Sequence, residues 1–333
     1  MAGPQQETPN VPVNVLVTGA NGLVGSRVLA AIARQREAFG QVVALDIRET
    51  PDANRLDGVD YLVGDICDSA LESVFRQHAI SVVVHLAAIV SPGKDSSADL
   101  EYRVDVLGTR NIVETAVRTG VRQLISLSSG AAYGYHASNP VPLREDDPLR
   151  GNEAFTYARH KRLVEEMLAE YRATQPQLRQ LVLRPGTILG EAVRSPVTSV
   201  FEGPVVIGIA GAEAPFVMIH VDDVAAIIVK GVLEGRDGIY NLAGDGVLSL
   251  REIARRAGKP FLPIPAGLLK IILTGLKALK LSARGAEGVD FLRYRPVLAN
   301  DRLKQAFGYV PRLTTEEVFE CYLHGSPATG EPQ

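Results

Sequence analysis

Short apolar runs alternate with helical patterns from Val13 to about Leu183. The runs are rich in leucine and β-branched residues, which is typical of strands that are buried on both faces. Between them, apolar residues recur at helical spacing. This alternation predicts an α/β fold with a doubly wound parallel sheet that helices cover on both faces. The predicted strands are one that begins at Val13, then Val42–Asp46, Tyr61–Val63, Val82–Leu86, Leu124–Ser128 and Leu181–Leu183, and the predicted helices are one after Gly22, then Leu71–Gln77, Leu100–Thr119 and Phe155 to about Arg172.

The pattern changes after Arg184 and Pro185. Residues 186–219 are rich in glycine, proline, valine and serine and show no clear period, which predicts a loop region able to close over a ligand. Helical and short extended segments follow to about Leu323. The second half of the chain is therefore expected to form a smaller α/β region beside the sheet.

The first predicted strand leads into a turn that carries Gly19, Gly22 and Gly25, with Asn21 and Leu23 between them. A turn without side chains lets the backbone approach phosphates, and the helix behind it supplies N–H groups and a partial positive charge. Glycines also serve ordinary turns, and the spacing is G-x-x-G-x-x-G rather than G-x-G-x-x-G. The strand before the turn and the helix after it favour a dinucleotide site.

Asp46 ends the second predicted strand, about 20 residues after the glycine turn. A carboxylate at this place accepts hydrogen bonds from the adenosine ribose hydroxyls and repels a 2′-phosphate, so it predicts NAD rather than NADP. Arg48 lies two residues further on and could tolerate a phosphate. A solvated acid at a strand end is the structural alternative.

Two further strand ends carry candidate cofactor contacts. The Asp65 carboxylate could accept a hydrogen bond from the adenine amino group, and Ile66 could pack on the adenine ring. Asp65 also fits the N-cap of a helix. Leu86, Ala87 and Ala88 end the fourth strand with apolar side chains that suit a wall against a flat cofactor. They suit ordinary helix–sheet packing as well.

Tyr157 and Lys161 are four residues apart at the start of a predicted helix and share one helical face. An ammonium close to a phenol favours the phenolate, which a proton transfer beside a nicotinamide requires. His160 points off that face and is expected to be a bystander. Ser129 follows the fifth strand, where its hydroxyl could orient a substrate oxygen. A surface Tyr–Lys pair and a Ser–Gly turn are the alternatives.

The composition is that of an ordinary soluble protein, with 333 residues, 46% of them hydrophobic and 22% charged. A net charge of −3 argues against a nucleic-acid partner. Cys67 and Cys321 are far apart, so we expect no metal site and a reducing, cytoplasmic location. The polar Met1–Asn10 segment lacks the apolar run of a signal peptide, and no stretch has the length and apolarity of a membrane span.

Together, these motifs resemble the extended short-chain dehydrogenase/reductase superfamily, in its NAD-dependent epimerase/dehydratase group. The resemblance covers nearly the whole chain and implies bound NAD, with Tyr157 as acid/base, Lys161 on the nicotinamide ribose and Ser129 orienting the substrate. The matching motifs are Thr18-Gly19-x-x-Gly22-x-x-Gly25, Asp46, Gly64-Asp65, His85-Leu86-Ala87-Ala88, Gly108-Thr109-x-Asn111, Ser128-Ser129, Tyr157-x-x-x-Lys161, Arg184-Pro185-Gly186, His220-Val221-Asp222-Asp223-Val224-Ala225 and Tyr240-Asn241-Leu242-Ala243-Gly244. The expected cofactor residues are Gly19, Asn21, Gly22, Leu23, Gly25, Asp46, Arg48, Asp65, Ile66, Leu86, Ala87, Ala88, Tyr157, Lys161 and Pro185.

The resemblance also implies a domain organisation. Residues 12–185 are expected to form the NAD-binding Rossmann domain, to which parts of 216–245 return. Residues 186–325 are expected to form the substrate-binding region. Residues 1–11 and 326–333 are expected to be a disordered tail and a frayed tail. Helices 100–119 and 155–172 commonly pair across a dimer axis in the superfamily, which implies a homodimer.

The chain departs from the family pattern at three places. Asp105 and Thr187 stand where asparagine is usual, the latter in nucleotide-sugar members. Those members also carry an arginine before the His220 motif, where a diphosphate needs a charged donor. Residues 214–219 contain none here. Phe216 and Met218 suggest an apolar surface instead, or simply a buried strand.

The segment from Pro265 to Leu281 has the pattern of a basic amphipathic helix. It could form the wall of an apolar substrate pocket, touch a membrane surface, or pack on the substrate region. Together with the missing arginine, it favours a less polar substrate. In this respect the chain resembles the 3β-hydroxysteroid dehydrogenase-like branch more than the sugar epimerases.

Three functions follow from these residues. The first is an NAD-dependent oxidoreductase that transfers hydride between NAD and a secondary alcohol or ketone of low polarity. The second is a UDP-sugar epimerase or dehydratase, in which hydride returns to the same substrate. The third is a non-catalytic NAD-binding regulator, which would be expected to lose Ser129, Tyr157 or Lys161, whereas this chain keeps all three.

Overall fold

A parallel sheet of seven strands forms the centre of the part of the chain that the computed structural model describes, which is residues 12–90, 96–191, 193, 197–278, 285 and 287–325. Short strands beside it form three further pairs. The strands are β1 Val13–Thr18, β2 Phe39–Asp46, β3 Asp60–Val63, β4 Val82–His85, β5 Gln123–Leu127, β6 Arg179–Pro185, β7 Thr187–Leu189, β8 Val206–Ile209, β9 Pro215–Phe216, β10 Met218–His220, β11 Gly238–Leu242, β12 Leu248–Ser249 and β13 Phe261–Ile264.

Helices connect most of these strands. A π-helical segment, Arg103–Gly108, joins the third helix to the fourth and makes one continuous helical stretch. The helices are α1 Leu23–Ala33, α2 Leu71–Gln77, α3 Ala98–Tyr102, α4 Thr109–Thr119, α5 Thr156–Thr174, α6 Ser199–Glu202, α7 Val221–Leu233, α8 Leu250–Arg256, α9 Ala266–Ala278, α10 Glu287–Arg293 and α11 Thr315–His324.

The strand order in the central sheet is β3-β2-β1-β4-β5-β6-β11, and every neighbouring pair is parallel. Because β1 pairs with both β2 and β4, the winding of the chain reverses between β1 and β4. Ligands of open α/β sheets bind at such a switch point, beside the carboxyl ends of the strands. The predicted doubly wound α/β fold is confirmed.

Helices cover both faces of the sheet, which explains why most of its strands are largely apolar. α1 and α7 pack on one face, and α2, α4 and α5 pack on the other. Side chains of β1 alternate between these layers: Val15 and Val17 belong to the first, and Leu16 belongs to the second. All three are fully buried.

Residues 186–219 differ from the sequence-based expectation of a loop, because this range contains β7, α6, β8, β9 and the start of β10. Each of these elements is two to four residues long, too short to show a period in the sequence. β7 pairs with β10, β8 with β13 and β9 with β12. A second core forms around their apolar side chains.

The seventh strand of the central sheet, β11, comes from beyond this region and pairs with β6. It lies within the stretch 216–245 that is expected to return to the first domain. The division at residues 185 and 186 stays a prediction. The expected tails, residues 1–11 and 326–333, lie outside the described residues.

Helix α9 occupies most of the predicted amphipathic segment. Leu269 is buried against Ile209 and Val289, whereas Leu268 and Ile271 are exposed. Residues 279–281 of the segment lie outside the described residues. Within the described ranges, no helix combines the length and the apolarity that crossing a bilayer requires.

Candidate active site

The glycine turn lies against the end of β4, so tightly that side chains are excluded. Gly19 has φ +67°, and a Cβ there would lie 2.8 Å from the amide nitrogen of Ala87. A Cβ on Gly25 would lie 2.2 Å from the carbonyl oxygen of Gly19. Gly22 is the N-cap of α1, and no side chain caps this helix. The helix N-terminus therefore faces the switch point with backbone N–H groups available for a phosphate.

The Asp46 carboxylate links the end of β2 to the glycine turn. Its oxygens accept hydrogen bonds from the backbone N–H groups of Asn21 and Arg48, each at 3.0 Å. The Asn21 side chain donates to the carbonyl oxygen of Arg48 at 2.8 Å. A carboxylate oxygen has a second lone pair, so Asp46 can still accept from ribose hydroxyls. The Asp46 side chain is 8% exposed, whereas that of Arg48 is 71% exposed.

Replacing Asp46 with asparagine is expected to weaken the preference for NAD over NADP. The substitution keeps the size of the side chain but removes the charge that repels a 2′-phosphate. We expect the ratio of the two dissociation constants to fall by about tenfold, because a like-charge contact near the surface costs about 1–4 kcal/mol. Titration calorimetry with both cofactors measures this ratio. Glu49→Gln, which neutralises an exposed neighbouring carboxylate, should leave the ratio unchanged, and an unchanged ratio in Asp46→Asn would contradict the assignment.

Asp65 and Ile66 lie at the carboxyl end of β3, as expected, but both have partners within the protein. Asp65 accepts the N–H of Cys67 at 2.9 Å and pairs with Arg103 at 3.1 Å. Ile66 is buried in the layer that packs on the second face of the sheet, and its side chain lies over Gly108. Their contact with adenine stays a prediction.

His85 fixes the segment 86–88 through a chain of hydrogen bonds. The hydroxyl of Thr18 accepts the N–H groups of Leu86 and Ala87, and it lies 2.8 Å from Nδ1 of His85. Nε2 of His85 lies 2.9 Å from the hydroxyl of Thr109, which donates to a backbone carbonyl. His85 Nε2 must then donate to Thr109. The Thr18 hydroxyl already accepts two N–H groups and must donate to Nδ1, so the ring is neutral. Burial, then the nearby Lys161, lower the pKa of His85 to about 3.

Ser129, Tyr157 and Lys161 converge beyond the carboxyl end of β5. The Lys161 ammonium donates to the carbonyl oxygen of Leu127 at 2.9 Å and lies 5.7 Å from the centre of the Tyr157 ring. Burial raises the pKa of Tyr157 to about 12, and a hydrogen bond with Ser129 opposes this shift. Tyr157 is therefore protonated at neutral pH and placed to exchange a proton with a bound hydroxyl or carbonyl oxygen.

His160 is buried beneath the site, and its expected role as a bystander stays a prediction. It is 1% exposed, and its Nδ1 lies 3.0 Å from the carboxylate of Asp105. The π-helical segment brings Asp105 underneath α5, which no local pattern in the sequence indicates. The charged partner of His160 lies 55 positions earlier in the chain.

A buried ion pair lies under the site and ties α5 to β6. Glu165 accepts hydrogen bonds from Nε and Nη2 of Arg184, the latter at 2.6 Å, and also one from the hydroxyl of Ser128. Arg184 donates in turn to the phenol oxygen of Tyr133 at 2.7 Å. Pro185, the next residue along β6, is therefore held in place beside the site.

Arg295 is a candidate binding residue that sequence reasoning missed. Its guanidinium stacks 3.9 Å from the ring centre of Phe216 and 4.7 Å from that of Phe291, and it donates to the hydroxyl of Thr187 at 3.2 Å. Phe291 packs in the same apolar cluster as Tyr157. Two of the partners of Arg295, Phe216 and Thr187, are distant in sequence, so no local pattern indicates where this cation lies.

The expectation that Phe216 and Met218 form an apolar substrate surface is wrong. Both are buried, at 1% and 0% exposure, in the core of the C-terminal region. The alternative, a buried strand, agrees with β9 and β10, which contain them. Arg295 covers the ring of Phe216 and places a positive charge where the sequence suggests an apolar surface.

The fold and the glycine turn define a dinucleotide-binding protein. A model of the NAD dependent epimerase/dehydratase family matches residues 15–243. The chain belongs to this family, which confirms the predicted family, the NAD cofactor and the enzyme class. The more specific resemblance to the 3β-hydroxysteroid dehydrogenase-like branch stays a prediction.

Relatives and solved structures agree with this membership. An uncharacterised protein of Mycobacterium tuberculosis is 27% identical over 97% of this chain and 86% of its own length. The UDP-glucose 4-epimerase of Erwinia amylovora is 32% identical over 52% of each chain. The structure of a Thermus thermophilus UDP-glucose 4-epimerase with NAD superposes with a TM-score of 0.72 and 23% identity, over 94% of this chain and 98% of that one. This last likeness supports the fold alone.

Proposed function

We propose that this protein is a nucleotide-sugar epimerase or dehydratase that oxidises one alcohol carbon of a bound UDP-sugar and returns the hydride to the same molecule. The observation that carries the proposal is the position of Arg295, a cation that contacts the aromatic cluster around Tyr157. A diphosphate needs charge-matched donors, and Arg295 supplies one on the substrate side. The UDP-glucose 4-epimerases among the relatives support the same conclusion.

Residues at the switch point fit NAD. The glycine turn at Gly19 and Gly25 has no room for side chains, the N-terminus of α1 suits a pyrophosphate, and Asp46 suits the ribose hydroxyls. Bound there, NAD would supply the hydride acceptor for the substrate carbon and the hydride donor for the return step. The segment 86–88, fixed by Thr18, would form the wall beside the nicotinamide.

Tyr157 performs the proton transfer. For oxidation Tyr157 first releases its own proton to solvent, and its phenolate oxygen then takes the proton of the substrate hydroxyl as the carbon becomes a carbonyl; in the reverse direction it returns that proton. Ser129 hydrogen-bonds the same oxygen and orients it toward Tyr157. The Lys161 ammonium stabilises the phenolate electrostatically.

An NAD-dependent dehydrogenase of a low-polarity alcohol or ketone is the second candidate. The rings of Tyr135, Phe155 and Phe291 pack edge to face or tilted beside Tyr157, with centres 5.1–5.6 Å apart. Phe155 and Tyr157 are partly exposed members of this cluster, and their rings can contact an apolar ligand as well as a sugar ring. A non-catalytic regulator is the third candidate, and assembly as a homodimer in the cytoplasm is part of our proposal.

Retained cofactor separates the first two candidates. An epimerase regenerates NAD in place, so purified protein should release close to one NAD per chain when it is denatured. A dehydrogenase exchanges NAD at every turnover and should purify largely empty. Turnover of UDP-glucose and other UDP-sugars, followed by chromatography of the products, then tests the substrate class directly.

Arg295→Met is expected to raise KM for the UDP-sugar by about tenfold or more, because a charged hydrogen bond to an oxyanion contributes about 1.5–3 kcal/mol. The dissociation constant of NAD should not change. Arg293→Met is the matched control, since Arg293 is exposed on the same segment and should leave KM unaltered. If apolar alcohols are oxidised while UDP-sugars are inert, the dehydrogenase replaces our first candidate.

A further inference from the structure

Asp105 connects the cofactor side of the site to the helix that carries Tyr157. One carboxylate oxygen accepts the N–H of Ile89 at 2.8 Å, directly after the segment 86–88. The other lies 3.0 Å from Nδ1 of His160, the residue before Lys161. Asp105 is 6% exposed, so both contacts form away from solvent. A single carboxylate therefore clamps two separate elements of the site together.

The hydrogen-bond pattern determines the tautomer of His160. A carboxylate only accepts hydrogen bonds, so Nδ1 of His160 must carry the hydrogen. Its Nε2 is buried and lacks a hydrogen-bond partner among the described residues. A cavity of about 10 Å³ lies between His85, Asp105, His160 and Lys161. This is the space of a single water molecule, which would place a polar link between the pair and the Lys161 ammonium.

Lys161 supplies the positive charge at this cavity, and the groups around it determine whether it keeps that charge. His85 is neutral, Tyr157 is protonated at neutral pH, and Tyr102 meets the His160 ring edge to face. Burial lowers the pKa of Lys161, whereas the negative charges of Asp105 and then Glu165 raise it. Because Glu165 is already paired with Arg184, Asp105 is, within the described part of the chain, the carboxylate that lines the cavity together with Lys161.

We propose that Asp105 and His160 form a positioning pair that keeps Lys161 charged beside Tyr157 and so determines the pH range in which the site works. Asp105 supplies the negative charge, and His160 holds its carboxylate in place through the Nδ1 hydrogen bond. The inference rests on the proposed acid/base role of Tyr157 and Lys161. Neither member of the pair has to touch the substrate or the cofactor.

The pH dependence of kcat in Asp105→Asn tests the electrostatic role that we propose for Asp105. Asn is the same size but uncharged, and the negative charge of Asp105 raises the pKa of both Tyr157 and Lys161. Both limbs of the pH profile should therefore move to lower pH, by roughly one unit. His160→Asn is the matched control, because its amide can donate to Asp105 in place of Nδ1 and the charge remains. Its limbs should stay where they are in the wild type.

Two kinetic outcomes would overturn the proposal. In one, Asp105→Asn lowers kcat while both limbs of its pH profile stay at the wild-type pH, as expected for a residue with a purely structural role. In the other, His160→Asn shifts the limbs as far as Asp105→Asn does, which would assign the effect to a charge on His160. Thermal unfolding of each variant verifies that the compared proteins are folded.

Nitrogen NMR of the histidine rings gives a readout that needs no substrate. The His160 signals, identified by their loss in His160→Asn, should show Nδ1–H in the wild type. In Asp105→Asn the amide group can donate to Nδ1, and the hydrogen should move to Nε2. An Nε2–H tautomer in the wild type would overturn the clamp. The NMR measurement does not depend on turnover of a UDP-sugar. Failure of the proposed function can therefore be distinguished from failure of the Asp105–His160 pair.

Discussion

Tyr157→Phe is expected to lower kcat by about 10²–10⁴-fold, the usual contribution of a positioned acid/base. The phenol oxygen is the only atom removed, and Tyr157 packs in an apolar cluster through its ring, so the fold should persist. The NAD dissociation constant should change little, because the turn at Gly19 and the carboxylate of Asp46 remain. Steady-state kinetics with the substrate found in the UDP-sugar screen, and NAD titration, measure the two effects.

Tyr171→Phe is the matched control for this variant. Tyr171 lies on the same helix, about 21 Å along its axis from Tyr157, and its hydroxyl donates to Glu114 at 3.2 Å. Removing that hydroxyl should leave kcat within about twofold, since it costs one partly exposed hydrogen bond of about 1 kcal/mol. A Tyr157→Phe protein with wild-type kcat would end the catalytic assignment and favour the non-catalytic regulator.

Glu165→Ala is expected to lower the free energy of unfolding by about 3–5 kcal/mol, the largest effect on stability that we predict. The side chains of Glu165 and Arg184 are 3% and 4% exposed. Without its carboxylate partner the Arg184 guanidinium would remain buried with its charge uncompensated, and Ser128 would also lose an acceptor. Urea unfolding followed by circular dichroism measures the change.

Glu166→Ala, at the next position of the same helix, separates this effect from helix propensity. Glu166 is 48% exposed and pairs with Arg162, and exposed pairs contribute about 0–1 kcal/mol. Replacing Glu165 and Arg184 together by methionine should cost less than Glu165→Ala, because no buried charge is left. If both single glutamate variants lose the same small amount of stability, the buried pair is not important for stability.

The central sheet was predictable because five of its first six strands, all but β3, are largely buried on both faces, which makes the pattern strong. Helix 71–77 has the bounds that its spacing predicts, and strand β2 starts three residues earlier than predicted. β11 was not found from its pattern, since only Tyr240 to Leu242 are buried in it. The π-helical segment was also missed, because a register change inside a helix leaves its apolar residues near helical spacing.

The site could be predicted where its residues are neighbours along one element. The glycines of one turn, and Tyr157 and Lys161 on one helix, have spacings that a sequence displays directly. The contacts of Asp105 with His160 and of Arg295 with Thr187 join residues 55 and 108 positions apart. Those distances depend on how helices and strands pack, which periodicity does not encode. The substrate class was the least accessible part for the same reason.

Strand β11 has a consequence for how this enzyme can be divided or recombined. A fragment that ends at Pro185 would expose the edge of β6 along its five-residue pairing with β11 and would uncover the face of α1 that α7 covers. Unpaired sheet edges promote aggregation. Chimeras that exchange substrate specificity between relatives must therefore keep α7 and β11 with the host sheet and graft the segments on either side of them.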